Sequence, residues 1–120
     1  MQIYTIQIAK WRRAAAIHVP LLDITVKSGE PLFAPDRFLL YAYKQGRIDE
    51  EQYRQQYLEK MRESLRSFWY RWEQVASMPV VALACYCRAG EFCHRHLLTE
   101  CFCRYCHKRS IPFEYLGEIL

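Results

Sequence analysis

Polar and apolar residues alternate from Gln2 to Ala9, with isoleucines at positions 3, 6 and 8, and this period of two predicts a strand. Its far end delivers Trp11, Arg12 and Arg13. Ile17 to Val26 is a second extended stretch, interrupted at Pro20 and closed by a turn at Lys27-Ser28-Gly29. Pro35-Asp36-Arg37 opens a short helix that runs through Tyr43 and stops at Gly46. Asp49 and Gln52 then have the spacing of a capping box, and Tyr53, Tyr57, Met61, Leu65, Phe68, Trp72 and Val75 recur every three or four residues. That stripe predicts one long amphipathic helix.

The run from Pro79 to Cys85 is continuously apolar, the pattern of a strand buried on both faces of a mainly parallel sheet. A turn follows at Arg88-Ala89-Gly90-Glu91. From Cys93 onward, Leu97, Leu98, Cys101, Phe102 and Tyr105 form a helical stripe, and Pro112 admits a last strand from Phe113 to Leu116. Strand, helix and strand in this order imply a right-handed crossover, hence an α/β layered fold around a small sheet of about four strands.

With 120 residues, 52% of them hydrophobic and only 25% charged, the chain has ample core formers for a single domain spanning residues 1–120. The pattern at Met1 to Lys10 is not that of a signal peptide, and no apolar run approaches the ~20 residues that span a bilayer. All six cysteines fall between Cys85 and Cys106, whereas secreted disulfide scaffolds spread theirs along the chain. These features predict a soluble, cytoplasmic protein with no membrane partner. The net charge of +4 has its surplus around Lys10, Arg12 and Arg13, a local anion patch that does not favour nucleic acid as a partner.

Ligands of open α/β sheets bind beyond the carboxyl ends of the strands, where helix N-termini offer unpaired N–H groups. The Cys85 to Arg95 loop occupies that place and carries Cys85, Tyr86, Cys87, Arg88, Cys93, His94 and Arg95. If the first strand is a parallel neighbour, Trp11, Arg12 and Arg13 lie beside it. Cationic forks with a flat aromatic, Trp11 or Tyr86, suit a phosphate-bearing ligand with a base. Cys93, at a helix start beside an arginine, is also placed to have its thiol pKa lowered. His94 is not its obvious base, since adjacent helical residues diverge; His96 or His18 is better placed. The phosphatase pattern of a cysteine with an arginine six residues later is absent, because Glu91 stands six after Cys85.

The strand Val81-Ala82-Leu83-Ala84-Cys85 followed by Cys93-His94-Arg95, with Phe33-Ala34-Pro35 and Tyr43 to Asp49 upstream, resembles the domain of unknown function (DUF) 488 family over nearly the whole chain. The resemblance implies a Rossmann-like fold of three layers and a site at Cys85, Cys93, His94 and Arg95. This chain departs from the family pattern in adding Cys87, Cys101, Cys103 and Cys106.

Those extra cysteines admit zinc. Cys103-x-x-Cys106 with His107 has ligand-like spacing. A continuous helix from Cys93 to His107, however, keeps these residues ~15 Å or more from Cys85 and Cys87 at 1.5 Å per residue, so no cofactor is predicted and the fold is expected to survive chelation.

The leading expectation is a protein that binds, and in one version sequesters, a small anionic, nucleotide-like molecule. Arg12, Arg13, Arg88 and Arg95 would read its phosphate; sequestration of a nucleotide signal is what a phage protein would do. A cysteine-dependent enzyme using Cys85 or Cys93, with His94 beside them, on a nucleotide or phosphorylated substrate is the alternative, and a zinc-stabilised nucleic-acid or protein adaptor is a third. Arg95→Ala is expected to weaken anion binding and leave the fold intact. Phe68, Trp69 and Tyr70 exceed what one helix face can bury, which predicts a homodimer.

Overall fold

The computed structural model describes residues 1–120. Strands β1 (Gln2–Gln7), β2 (Leu21–Asp23), β3 (Val80–Cys85) and β4 (Glu114–Ile119) form one sheet in the order β2-β3-β1-β4, with every pair parallel. The result is the expected α/β, Rossmann-like arrangement. β3 is buried from Val81 to Cys85, as its unbroken apolar run requires of a strand covered on both sides. Its alternate residues feed two separate cores. Val81, Leu83 and Cys85 join Ile3 and Leu22 on one face, whereas Ala82 and Ala84 join Ile6 on the other.

The two faces are covered unequally. On the alanine face the short helix α1 (Trp11–Ala16), entered through a single 3₁₀ turn at Ile8–Lys10, packs Ala14 against Ala82 and Ala84. Small side chains on both partners permit that close approach. The opposite face carries α2 (Arg37–Lys44), α3 (Glu50–Ser67), α4 (Trp69–Ala76) and α5 (His94–Lys108), which share the larger core. α3 begins with the expected capping box: the Gln52 amide donates to Asp49 Oδ1 at 2.8 Å and the Asp49 amide to Gln52 Oε1 at 2.9 Å. None of the helices is long and apolar enough to cross a membrane.

The long helix predicted from Asp49 to Val75 is in fact two, broken at Phe68 (φ −127°, ψ 38°). The break follows from a buried polar residue that the apolar stripe passes over. Ser64 Oγ donates to the Leu32 carbonyl at 2.7 Å and accepts from Trp72 Nε1 at 3.1 Å. This swings α4 inward and sets the Trp72 ring 5.2 Å from Phe33 and 4.8 Å from Phe102, centroid to centroid. Phe68, Trp69 and Tyr70 are left exposed at the corner. Ser64→Ala strands the indole N–H and the Leu32 carbonyl together, so it is expected to cost about 1–3 kcal/mol. Urea denaturation reads this as a lower midpoint with an unchanged slope; an unchanged midpoint would count against the Ser64 bridge.

The edges of the sheet also depart from the sequence expectation. The extended stretch from Ile17 contracts to Leu21–Asp23, because His18 adopts φ +58° and turns the chain before Pro20. β4 runs three residues beyond Leu116 through a register shift opposite Ile3 and Tyr4, where Gly117 takes φ +102°. A bulge with glycine at positive φ is how a strand absorbs an extra residue without losing its partner.

Candidate functional site

The loop leaving β2 is tied into a compact turn by one carboxylate. Asp23 accepts from the Thr25 amide at 2.9 Å and from Ser28 Oγ at 2.7 Å, and Thr25 Oγ1 lies 3.1 Å from Ser28 Oγ. The Gly29 amide then donates to the Thr25 carbonyl at 3.0 Å, closing the loop. Those hydrogen bonds hold Asp23 in its charged form against the opposing effect of burial, so its pKa lies below the usual carboxylate value. Thr25, Val26 and Lys27 are thereby fixed at the carboxyl end of the sheet.

Next to this turn, β3 ends in Cys85 and α5 begins after Cys93, whose extended backbone (φ −159°, ψ 150°) makes it the residue preceding the helix. The two sulfurs are 2.6 Å apart, and both residues are buried. Cys87, half-buried, lines the same cleft as Cys85. His94 Nε2–H donates to the Ile24 carbonyl at 2.6 Å, and this bond turns Nδ1 towards Cys93 Sγ, 3.7 Å away. Burial pushes the imidazole down to about 4, so it is neutral at physiological pH. Hydrogen bonds from Cys85 and Cys93 hold the Cys87 thiol well below its ordinary range, with the Arg95 charge adding to the effect. The same sharing raises the Cys93 thiol.

Arg95 lies beneath this cluster and is 0% exposed. Nη1 donates to Cys85 Sγ at 2.7 Å and to the Cys87 carbonyl at 3.1 Å, Nη2 to the Arg88 carbonyl at 2.9 Å, and Nε to Glu118 Oε1 at 3.2 Å. Burial works against its charge, but the Cys85 and Cys93 sulfurs and Glu118 outweigh it and raise its pKa. The guanidinium is committed to the protein. It organises the Cys85 to Arg95 loop from below and presents no fork to a ligand.

A cleft of about 400 Å³ opens above the thiols, with Cys85, Tyr86, Cys87 and His94 as its floor. Thr25, Val26 and Lys27 form one wall; Arg37, Leu40, Tyr41 and Lys44 of α2 form the other. Four of the residues expected from the sequence therefore meet here, together with Cys93 and Arg95 just below. The others do not. Trp11 and Arg12 stack on each other, with the guanidinium 4.5 Å from the ring, and Arg13 holds the Leu120 carbonyl. Arg88 lines no part of the cleft and contributes its backbone carbonyl to Arg95. Cys103 and His107 are exposed on an unbroken α5, and Cys106 Sγ faces Met1 Sδ at 3.8 Å, so the ligand-like spacing of these three assembles nothing.

Sequence reasoning missed Lys27, Arg37, Tyr41 and Lys44. A signal for three of them was present: residues 37, 41 and 44 recur at four and three, the spacing of one helical face. The sequence profile of the active DUF488-N3 subclade matches residues 9–107. The chain belongs to the DUF488 family. The DUF488 match begins after β1 and ends before β4, so it covers the cleft, the three thiols and Arg95 but leaves out Glu118. No curated protein and no solved structure matches the chain.

Proposed function

We propose that the protein binds a small anionic, nucleotide-like molecule in the cleft at the carboxyl ends of β2 and β3. The observation that carries this reading is the convergence of Lys27, Arg37 and Lys44, from two separate elements, with Tyr41 and Tyr86 around one cavity. Cations of that kind read phosphate, and an exposed tyrosine face accepts a base. A volume of about 400 Å³ suits a ligand of nucleotide size, since small-molecule sites span roughly 300–1,000 Å³. The six free thiols fit a reducing compartment such as the cytoplasm. Sequestration of the ligand needs nothing beyond this cleft.

Titration with a panel of nucleoside mono- and diphosphates, followed by calorimetry, tests the proposal. Reversing Arg37 and Lys44 to glutamate is expected to lower affinity by at least about tenfold for each charge, the scale of one hydrogen bond to a charged group. Arg12→Ala is expected to leave affinity unchanged. The opposite pattern would move the site to the α1 side of the sheet.

A second reading, cysteine-dependent chemistry on the same ligand, is supported by the contact between Arg95 and Cys85. A guanidinium against a sulfur favours the thiolate, which is the attacking form, and here it works against the Cys87 thiol and burial, which raise the Cys85 pKa.

A further inference from the structure

The floor of the cleft carries more ligand atoms than anion binding uses. Cys85 Sγ, Cys93 Sγ and His94 Nδ1 all lie within 4.8 Å of one another, and all three residues are buried. Cys87, two residues past the end of β3, lies outside that three-atom cluster but lines the same cleft beside Cys85 and His94. We propose that Cys85, Cys93 and His94 hold a thiophilic divalent cation and that Cys87, from the adjoining loop, moves in on loading to close a tetrahedral site, with zinc the ion their chemistry selects. Three thiolates and one imidazole are a complete ligand set for structural zinc, with no position left for water.

Three features of the surroundings support the assignment. The Nε2–H bond from His94 to the Ile24 carbonyl fixes the tautomer that leaves Nδ1 bare, and a backbone acceptor on the far ring nitrogen is the usual companion of a metal-bound histidine. Cys93 Sγ and His94 Nδ1, 3.7 Å apart, are separated by about the 3.6 Å edge expected from Zn–S of ~2.3 Å and Zn–N of ~2.05 Å. Finally, three thiolates around a divalent cation carry a net charge of minus one, and the buried Arg95 guanidinium, 2.7 Å from Cys85 Sγ, offsets it while donating an N–H to the ligand sulfur. The Cys85 and Cys93 sulfurs, 2.6 Å apart, are closer than the ~3.8 Å edge between two thiolate ligands, so metal entry spreads them by about 1 Å. The loop from Tyr86 to Phe92 separates the two cysteines along the chain and can take up that movement. Loading releases the remaining thiol protons to the solvent.

The assignment is independent of what the cleft binds. It also differs from the set suggested by sequence spacing, because Cys103, Cys106 and His107 stay apart on α5. The test uses the full chain, reduced and stripped with chelator, then titrated with cobalt(II) and afterwards with zinc. One cobalt per chain is expected, with the intense visible bands of a tetrahedral ion and a near-ultraviolet thiolate charge-transfer band, both displaced by one equivalent of zinc. Cys87→Ser should retain the ion and reduce the charge-transfer intensity by roughly a third, as three thiolates become two. Cys93→Ser should weaken binding at least about tenfold, and Cys103→Ser should change neither quantity. Wild-type protein that is folded by circular dichroism yet takes up no cobalt overturns the proposal. So does uptake that survives Cys93→Ser but fails with Cys103→Ser. Rapid alkylation of one cluster cysteine that zinc does not slow would likewise overturn it, and would favour the nucleophile reading.

Discussion

Replacing Arg95 with alanine is expected to lower the stability of the fold by about 3–5 kcal/mol, the cost of leaving one member of a buried ion pair unpaired. The side chain is 0% exposed and Glu118 only 15% exposed, so water cannot take over the lost partner. Two carbonyls, of Cys87 and Arg88, lose their donor in the same step, and they are what hold the loop over the sheet end. The sequence alone suggests the reverse, a ligand-reading arginine whose removal spares the fold. Thermal and urea melts decide between the two, and a wild-type midpoint would show that the loop is supported by other contacts. Arg95→Ala combined with Glu118→Gln should cost less than Arg95→Ala alone, because the second change removes the stranded charge.

Gly29→Ala is expected to be of similar severity, about 3 kcal/mol or more, for a reason that involves no lost interaction. A Cβ at this position would run into the Thr25 amide nitrogen and stand 2.6 Å from the carbonyl oxygens of Asp23 and Thr25. All three are backbone atoms locked in the turn around Asp23, so none can swing aside as a flexible side chain would. Opening the turn displaces Thr25 and Lys27 from the cleft, so ligand affinity should fall together with the melting midpoint. A variant with normal stability and normal affinity would mean that the turn relaxes at no cost.

The contrast between these two residues shows what the sequence makes legible. The apolar run to Cys85 announces a central strand because burial on both faces leaves no polar position, and the Asp49–Gln52 pair announces a helix start because its hydrogen bonds are local. The Cys85 to Arg95 loop is recognisable as a site from its position alone. The direction in which Arg95 points is not, since it is set by Glu118, 23 residues further on and in strand β4. The break at Phe68 is hidden for a related reason: the stripe from Tyr53 to Val75 has helical spacing throughout, and only the Leu32 carbonyl, 32 residues from Ser64, shows which turn must be given up. Trp11 to Arg13 follow a parallel neighbour of β3 as expected, but α1 carries them to the alanine face, away from the cleft.

The position of β1 bears on how the molecule is made. This strand is made before β3 and β4, yet it lies between them and pairs with both. Gln2 meets its β4 neighbour, Glu114, at a sequence separation of 112. During synthesis β1 therefore waits, its apolar side uncovered, until β3 emerges, and one of its edges stays open until the last strand arrives. Contacts closed over such distances form slowly, and unpaired edges are where nascent chains aggregate. Nascent chains released before Glu114 should therefore lean on chaperones far more than the full-length chain does, even though the cleft, the three thiols and Arg95 would all have been synthesised.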